Sequence, residues 1–193
     1  MAYSFAKVGY PIIVEPPVGA KKLDLEGKLK GKPVLFEVIK PNLFRKLRYS
    51  AGAIGIPNRA RKVVYDEFKN HLAQVAERID KPVVIAIDTG RSEIDYDFVA
   101  DYVYGTQQFT WWTDKKTGKV VAEGWTRAKD SIHDQAKSSS ENLDVISAIV
   151  CYKTVLGDDG KFHLQGVIFL NPTAQNPLTD SQVSKMEKTL FAN

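Results

Sequence analysis

Residues 83–87 are five consecutive aliphatic residues, Val-Val-Ile-Ala-Ile, and they follow directly after Pro82. A strand without a polar position has no face to offer to solvent. Such a run is typical of a strand inside a sheet that other elements cover on both faces. This segment constrains the fold more than any other, because it predicts a layered architecture built around a central sheet.

An earlier segment has the pattern of a β-hairpin. From Lys22 onward apolar and charged residues alternate, which predicts that Leu23, Leu25 and Leu29 lie on one face of a strand. The sequence Lys-Gly-Lys-Pro then provides a turn, and the apolar residues 34–39 provide a second strand. The two segments therefore predict an antiparallel pair.

Two helices are predicted around the buried strand. Residues 59–79 repeat apolar side chains with a period of 3.6, as an amphipathic helix does. A second helix, about residues 93–104, follows the capping sequence Ser-Glu-Ile-Asp and ends at Gly105. The order of hairpin, helix and buried strand predicts an α/β fold with a mixed central sheet and flanking helices.

The rest of the chain adds further hairpins. One is predicted from residues 109–113 and 119–125, and another from residues 145–155 and 162–170. The length suits one domain. We therefore predict a single domain over residues 1–193, with a core at about 8–88, a hairpin-rich extension at about 106–178 and a terminal helix at about 180–191.

Composition excludes several classes of protein. The single cysteine, Cys151, excludes a disulfide framework and a cysteine-rich zinc site, and its apolar surroundings predict a core position. No apolar run approaches the roughly 20 residues of a membrane span, and residues 1–7 lack the apolar centre of a secretory signal. We therefore expect a cytoplasmic protein with no membrane partner, for which a homo-oligomer remains compatible with the sequence.

The net charge of +4 is unevenly distributed. Residues 1–80 contain 15 basic and 8 acidic residues, whereas residues 81–193 contain 12 and 15. No acidic residue occurs between positions 40 and 62. Three of the cations in that stretch fall in the first turn of the predicted 59–79 helix, where free N–H groups favour anions. A phosphate-binding surface and an ordinary solvated face, paired with acids elsewhere, both fit this pattern. The predicted phosphate contacts are Arg45, Lys46, Arg48, Arg59, Arg61 and Lys62.

Two carboxylates occupy the predicted hairpin. Asp24 belongs to the first strand, and Glu37, thirteen residues later, interrupts the otherwise apolar second strand. Because a buried and unpaired carboxylate is costly, Glu37 needs a reason to be there. Two converging carboxylates form a hard-oxygen site for Mg²⁺ or Mn²⁺, beside which a lysine could orient a water and stabilise charge on phosphorus.

The hairpin that carries Asp24 and Glu37, followed by a helix and a buried strand, resembles the PD-(D/E)XK nuclease superfamily, which has the restriction-endonuclease-like fold. The resemblance covers residues 8–88, less than half of the chain. It implies a divalent-metal-dependent nuclease that acts on DNA phosphodiesters, with nucleic acid as partner. Asp24 and Glu37 would be the metal ligands, and Lys40 or Lys28 would assist catalysis.

The sequence departs from the family at its lysine. The family places this residue two positions after the glutamate, where this chain has Ile39, and the lysine follows at position 40. In a regular strand Lys40 points away from the face of Glu37. A bulge before Pro41 would redirect it, and Lys28 or a basic residue of segment 43–48 are the alternatives.

Other interpretations stay open. Asp24, Glu26 and Lys28 share one strand face, which fits either a site or the solvated side of a hairpin. Asp88-Thr89-Gly90 matches the tripeptide of aspartic proteases, but those proteins are almost wholly β. Asp88 is better interpreted as a strand end at which α/β proteins place ligand-binding groups. A non-catalytic nucleic-acid-binding module and a structural or assembly module are the alternatives to an enzyme.

The adjacent tryptophans Trp111 and Trp112 lie on one predicted hairpin with Phe109 and Trp125. Adjacent residues of a strand face opposite sides, so one of the two is expected to point away from the core. An exposed tryptophan could stack on a base or cover a partner interface, whereas packing on the adjacent helix is the structural alternative.

Overall fold

The computed structural model describes residues 11–18, 21–39, 79–90, 96–129, 131–132, 134 and 143–191. In chain order the elements are β1 Ile12–Val14, β2 Pro17–Val18, β3 Lys21–Lys22, β4 Leu25–Leu29, β5 Lys32–Ile39, β6 Val83–Asp88, α1 Tyr96–Tyr104, β7 Gln107–Thr113, β8 Val120–Arg127, a 3₁₀ turn Leu143–Val145, β9 Ile146–Leu156, β10 Phe162–Leu170 and α2 Asp180–Phe191.

The main sheet has six strands in the order β1-β4-β5-β6-β9-β10. Strands β5, β6 and β9 run parallel to their neighbours in this central part, and the outer pairs β1–β4, β4–β5 and β9–β10 are antiparallel. The predicted α/β fold with a mixed central sheet is therefore confirmed. Parallel β5 and β6 require a crossover connection. The chain between β5 and β6 makes that connection, and all of the predicted 59–79 helix except Ile79 lies outside the described residues.

Two hydrophobic cores cover the two faces of the sheet. Strand β6 is buried along its five aliphatic residues, as its sequence predicted. Its residues alternate between the cores: Ile85 packs in the first core, with α1, and Val84 in the second, with α2. Cys151 lies in the first core, and burial raises the pKa of its thiol to about 12. Its predicted core position is confirmed.

One part of the predicted hairpin pattern is wrong. Leu23 packs in the first core, whereas Leu25 and Leu29 pack in the second. The chain bends at Asp24, and regular pairing of β4 begins only at Leu25. Because the bend breaks the alternation, the three leucines do not share a face.

The two helices follow their end signals. Helix α1 ends before Gly105, whose φ of 89° is readily adopted by glycine and whose N–H donates to the carbonyl of Asp101. Helix α2 spans the residues predicted for the terminal helix. It begins after a capping box in which Thr179 and Gln182 exchange side-chain to backbone hydrogen bonds. Within the described residues, no helix has the length and apolar character to cross a bilayer.

Both further hairpins form, but they differ in position. The β9–β10 hairpin joins the main sheet, because β9 pairs with β6. Strands β7 and β8 instead form a separate two-stranded ribbon. Trp111 is 61% and Trp112 47% exposed, so the prediction that one of them points away from the core is confirmed and the other is exposed as well. Among the described residues, neither tryptophan belongs to a hydrophobic core.

The β4–β5 turn offers a test of the fold. Lys30 and Gly31 have φ values of 54° and 78°, the pattern of a type I′ turn, which favours Asn-Gly. We expect Lys30→Asn to raise the free energy of unfolding by about 0.5 kcal/mol and Gly31→Ala to lower it by about 1–2 kcal/mol, since alanine is strained at positive φ. Urea denaturation measures both. Equal effects of the two substitutions would contradict this turn geometry.

Candidate active site

Asp24 and Glu37 lie opposite each other at the start of β4 and near the end of β5. The backbone N–H of Asp24 donates to Oε2 of Glu37 at 3.3 Å. In return, Oδ2 of Asp24 accepts a hydrogen bond from the backbone N–H of Val38 at 2.7 Å. Each side chain therefore binds the other residue's strand. This exchange ties the two residues to each other across the hairpin.

The bend at Asp24 creates this arrangement. Regular pairing of β4 with β5 begins at Leu25, which follows Asp24 and lies opposite Phe36. Two residues further along β5, the N–H of Val38 also faces this side and needs an acceptor. The Asp24 carboxylate replaces a main-chain carbonyl as that acceptor. An aspartate at this bend thus completes the sheet edge and holds its own carboxylate in a fixed position.

The two carboxylates have different surroundings. Glu37 is 3% exposed and lies on the sheet face of Leu35 and Ile39, in the first core. Asp24 is exposed, and its Oδ1 accepts no hydrogen bond from the described part of the chain. The pair therefore joins a carboxylate fixed in a nonpolar environment to one that is open to solvent.

Further polar residues lie at the same edge of the sheet. Asp88 ends β6 and is paired in register with Tyr152 of β9. Burial, followed by the negative charges of Asp88 and of Asp24, raises the pKa of Tyr152 to about 12. The phenol stays protonated at neutral pH, so it can serve as a hydrogen-bond donor. Asp88 therefore lies at a strand end as its sequence position indicated.

Tyr152 and Lys153 were missed by sequence reasoning. They sit within an apolar strand pattern that gave no sign of an edge shared with Asp24. The Lys153 stem lies against Gly90, whose N–H donates to Oδ1 of Asp88 at 3.0 Å. Lys153 is exposed and forms no ion pair with any described residue. The pairing of β6 with β9 was the missing information.

Lys28 is not brought to the carboxylate pair. It is paired with Pro33 at the far end of the hairpin, about 13 Å along the strand from Asp24. Glu26, the third member of the alternating set, forms an ion pair with Lys81 at 3.0 Å. Asp24, Glu26 and Lys28 therefore do not assemble one site.

The remaining predicted residues lie outside the described part of the chain. They are the candidate catalytic Lys40 and the predicted phosphate contacts Arg45, Lys46, Arg48, Arg59, Arg61 and Lys62.

The donor set suits a magnesium-type ion better than a transition metal. Within the residues described, no three His, Cys, Asp or Glu side chains converge on one point. A zinc site needs at least three protein ligands, whereas Mg²⁺ keeps several waters and is held by one or two carboxylates together with substrate phosphates. Asp24 and Glu37 fit the second case. Comparison with known proteins found no matching family model, curated protein or solved structure.

Proposed function

We propose that this protein is a divalent-metal-dependent nuclease with a restriction-endonuclease-like fold, a divergent PD-(D/E)XK enzyme that hydrolyses DNA phosphodiesters. One observation carries the proposal: Asp24 and Glu37 are fixed beside each other by the reciprocal hydrogen bonds between their strands. Glu37 is also 3% exposed, which limits the movement of its carboxylate.

The order of elements also supports the proposal. The hairpin that carries both carboxylates is followed by β6, a buried strand parallel to β5. The resemblance implies this sequence of elements. The site also lies where β5 and β6 end, the position at which open α/β sheets bind ligands.

The chain's own residues would have distinct tasks. Glu37, held in a nonpolar environment, would keep its carboxylate oriented, and Asp24 would offer its solvent-facing oxygen. The ion that they hold, Mg²⁺ or Mn²⁺, would neutralise phosphate charge and lower the pKa of its bound water. An ammonium group, from Lys40 or Lys153, would stabilise charge on the phosphoryl group.

The alternative is a nucleic-acid-binding protein that has kept this fold without catalysis. It is favoured by the position of Lys28, which lies far from Asp24 and Glu37. Lys153 lies on β9, and β6 lies between that strand and β5. Two strand spacings, roughly 10 Å, separate their backbones.

Cleavage of defined substrates tests the proposal. We expect Mg²⁺ or Mn²⁺ to support cleavage of plasmid or linear DNA, and EDTA to abolish it. Ca²⁺ should support binding without efficient cleavage, because it lowers the pKa of bound water less effectively. Single- and double-stranded DNA and RNA of one sequence should be compared. DNA binding without cleavage under any metal would favour the non-catalytic alternative over the nuclease.

A further inference from the structure

The β7–β8 ribbon exposes an unusual amount of aromatic surface. Phe109, Trp111 and Trp125 are 45%, 61% and 67% exposed, and Trp112 is 47% exposed. Tryptophan is usually buried to a large extent, so three such residues exposed on one hairpin call for an explanation. Neither hydrophobic core includes any of them.

Three of the four aromatic residues lie on one face. Phe109 is paired directly opposite Trp125, and their rings are 5.4 Å apart in an edge-to-face arrangement. Trp111 is two residues after Phe109 and therefore shares its face. Trp112 lies on the opposite face, with Thr110. We call Phe109, Trp111 and Trp125 the aromatic face of the ribbon.

The tip of the ribbon is basic. Lys115, Lys116 and Lys119 are exposed and form no ion pair with other described residues. The neighbouring carboxylate, Asp114, accepts hydrogen bonds from the backbone of Lys116 and from the backbone and hydroxyl of Thr117. Those bonds lower the pKa of Asp114 and keep it folded into the turn. The three ammonium groups therefore point to solvent around a turn of fixed shape.

The base of the ribbon is anchored to α1. Nη1 of Arg127 donates to the carbonyl of Gly105 at 2.7 Å and lies 3.7 Å from Oδ1 of Asp101. The same guanidinium group lies over the ring of Tyr104, 5.6 Å from its centroid. The Asp101 carboxylate also accepts from the backbone of Gln107. The ribbon is thus a supported platform.

We infer that the aromatic face binds single-stranded nucleic acid, with bases stacked on Trp111 and Trp125 and phosphates close to the lysines of the tip. Exposed aromatic rings beside unpaired cations are the combination that binds single strands irrespective of sequence. This inference deepens the proposed function, on which it rests for the class of substrate. It assigns the ribbon to holding a strand, away from Asp24 and Glu37.

A lipid surface fits the ribbon less well. Glu123 is paired with Trp111 in the middle of the aromatic face. Insertion of that face into a bilayer would also bury this carboxylate, at a high cost. A single strand of nucleic acid that lies across the tryptophans can leave the carboxylate of Glu123 in water. The lysines at the tip also argue against a second copy of this chain as the partner, because two basic tips would repel each other. A polyanion would be attracted to them.

Binding in EDTA tests this inference without requiring cleavage. The fluorescence anisotropy of a labelled 20-nucleotide single strand should show saturable binding by the wild type. We expect Trp111→Ala and Trp125→Ala each to weaken the affinity by about 5- to 140-fold, the range found for loss of one base stack. Trp112→Ala, on the opposite face, is the matched control and should change the affinity less than twofold.

Salt dependence separates the tip from the aromatic face. Replacing Lys115, Lys116 and Lys119 by glutamine should reduce the slope of log affinity against log salt by about 2, whereas Trp111→Ala should leave it unchanged. Equal affinities of the wild type, Trp111→Ala and Trp125→Ala would overturn the inference. So would binding to anionic vesicles but not to the oligonucleotide, or a dimer that only the tryptophan variants dissociate. If the protein binds the single strand through its tryptophans but cleaves no substrate, the inference about the ribbon stands and only the proposed nuclease function is rejected.

Discussion

Replacing Glu37 with glutamine should reduce metal-dependent cleavage of DNA by about 10³-fold or more. The substitution keeps the size of the side chain and an oxygen that can accept from the N–H of Asp24. It removes the negative charge that holds the cation, and a metal ion contributes several kcal/mol to stabilising the transition state. Asp24→Asn should have a similar effect, because it also removes a negative charge. It keeps an oxygen that can accept from the N–H of Val38, so the hairpin should stay intact.

The matched control is Glu187→Gln. Glu187 lies on the exposed side of α2, so this substitution makes the same chemical change away from the site. Far-ultraviolet circular dichroism and thermal melting must show that all variants are folded. Cleavage by Glu37→Gln at more than a tenth of the wild-type rate would exclude Glu37 as a metal ligand.

The source of the ammonium group can be assigned in the same assay. Lys40→Met and Lys153→Met each remove one charge and keep most of the side-chain volume. We expect the variant lacking the participating lysine to lose about 10²- to 10³-fold in cleavage rate, and the other to stay within threefold of wild type. Activity unchanged in both variants would remove lysine from the proposed mechanism.

Gly166→Ala should destabilise the fold by at least about 3 kcal/mol. Gly166 lies in β10 opposite Tyr152, and a β-carbon there would overlap the carbonyl oxygen of Cys151. It would also lie 2.8 Å from the ring of Phe191 at the end of α2. Although β10 is the edge strand, its backbone cannot move away from Cys151 without breaking the pairing with β9, so the strain is not easily relieved. Urea denaturation monitored by circular dichroism measures the loss.

Gly124→Ala is the control for this prediction. Gly124 is also inside a strand, but a β-carbon added there meets no atom within 4 Å. Alanine reduces the entropy of the unfolded chain, so we expect a gain of about 0.5 kcal/mol. Similar losses at both glycines would contradict the close approach of Gly166 to Cys151 and Phe191.

Local patterns predicted the elements well. The aliphatic run 83–87 identified β6, and Gly105 marked the end of α1. These features depend on neighbouring residues and on burial, which leave a periodic trace in sequence. The pairing of β9 with β6 leaves no such trace, because two apolar strands can meet in several registers. The position of Tyr152 and Lys153 beside Asp88 therefore required the structure.

The candidate site was predictable only in part. Residues thirteen apart around a short turn lie on paired strands, so the neighbouring positions of Asp24 and Glu37 followed from the hairpin alone. The bend at Asp24 was not predictable, because Leu23 and Leu25 continue an unbroken alternation in the sequence. That bend moves Leu23 to the other core and allows the Asp24 carboxylate to reach Val38.

Direct binding of Mn²⁺ tests the central claim that Asp24 and Glu37 hold a metal ion. Titration of the free ion, followed by electron paramagnetic resonance, measures occupancy without substrate or turnover. We predict one Mn²⁺ per chain in the wild type and in Glu187→Gln, and at least about tenfold weaker binding in Asp24→Asn and in Glu37→Gln. Equal binding by all four proteins, or no binding by the wild type in the presence of nucleic acid, would contradict the account.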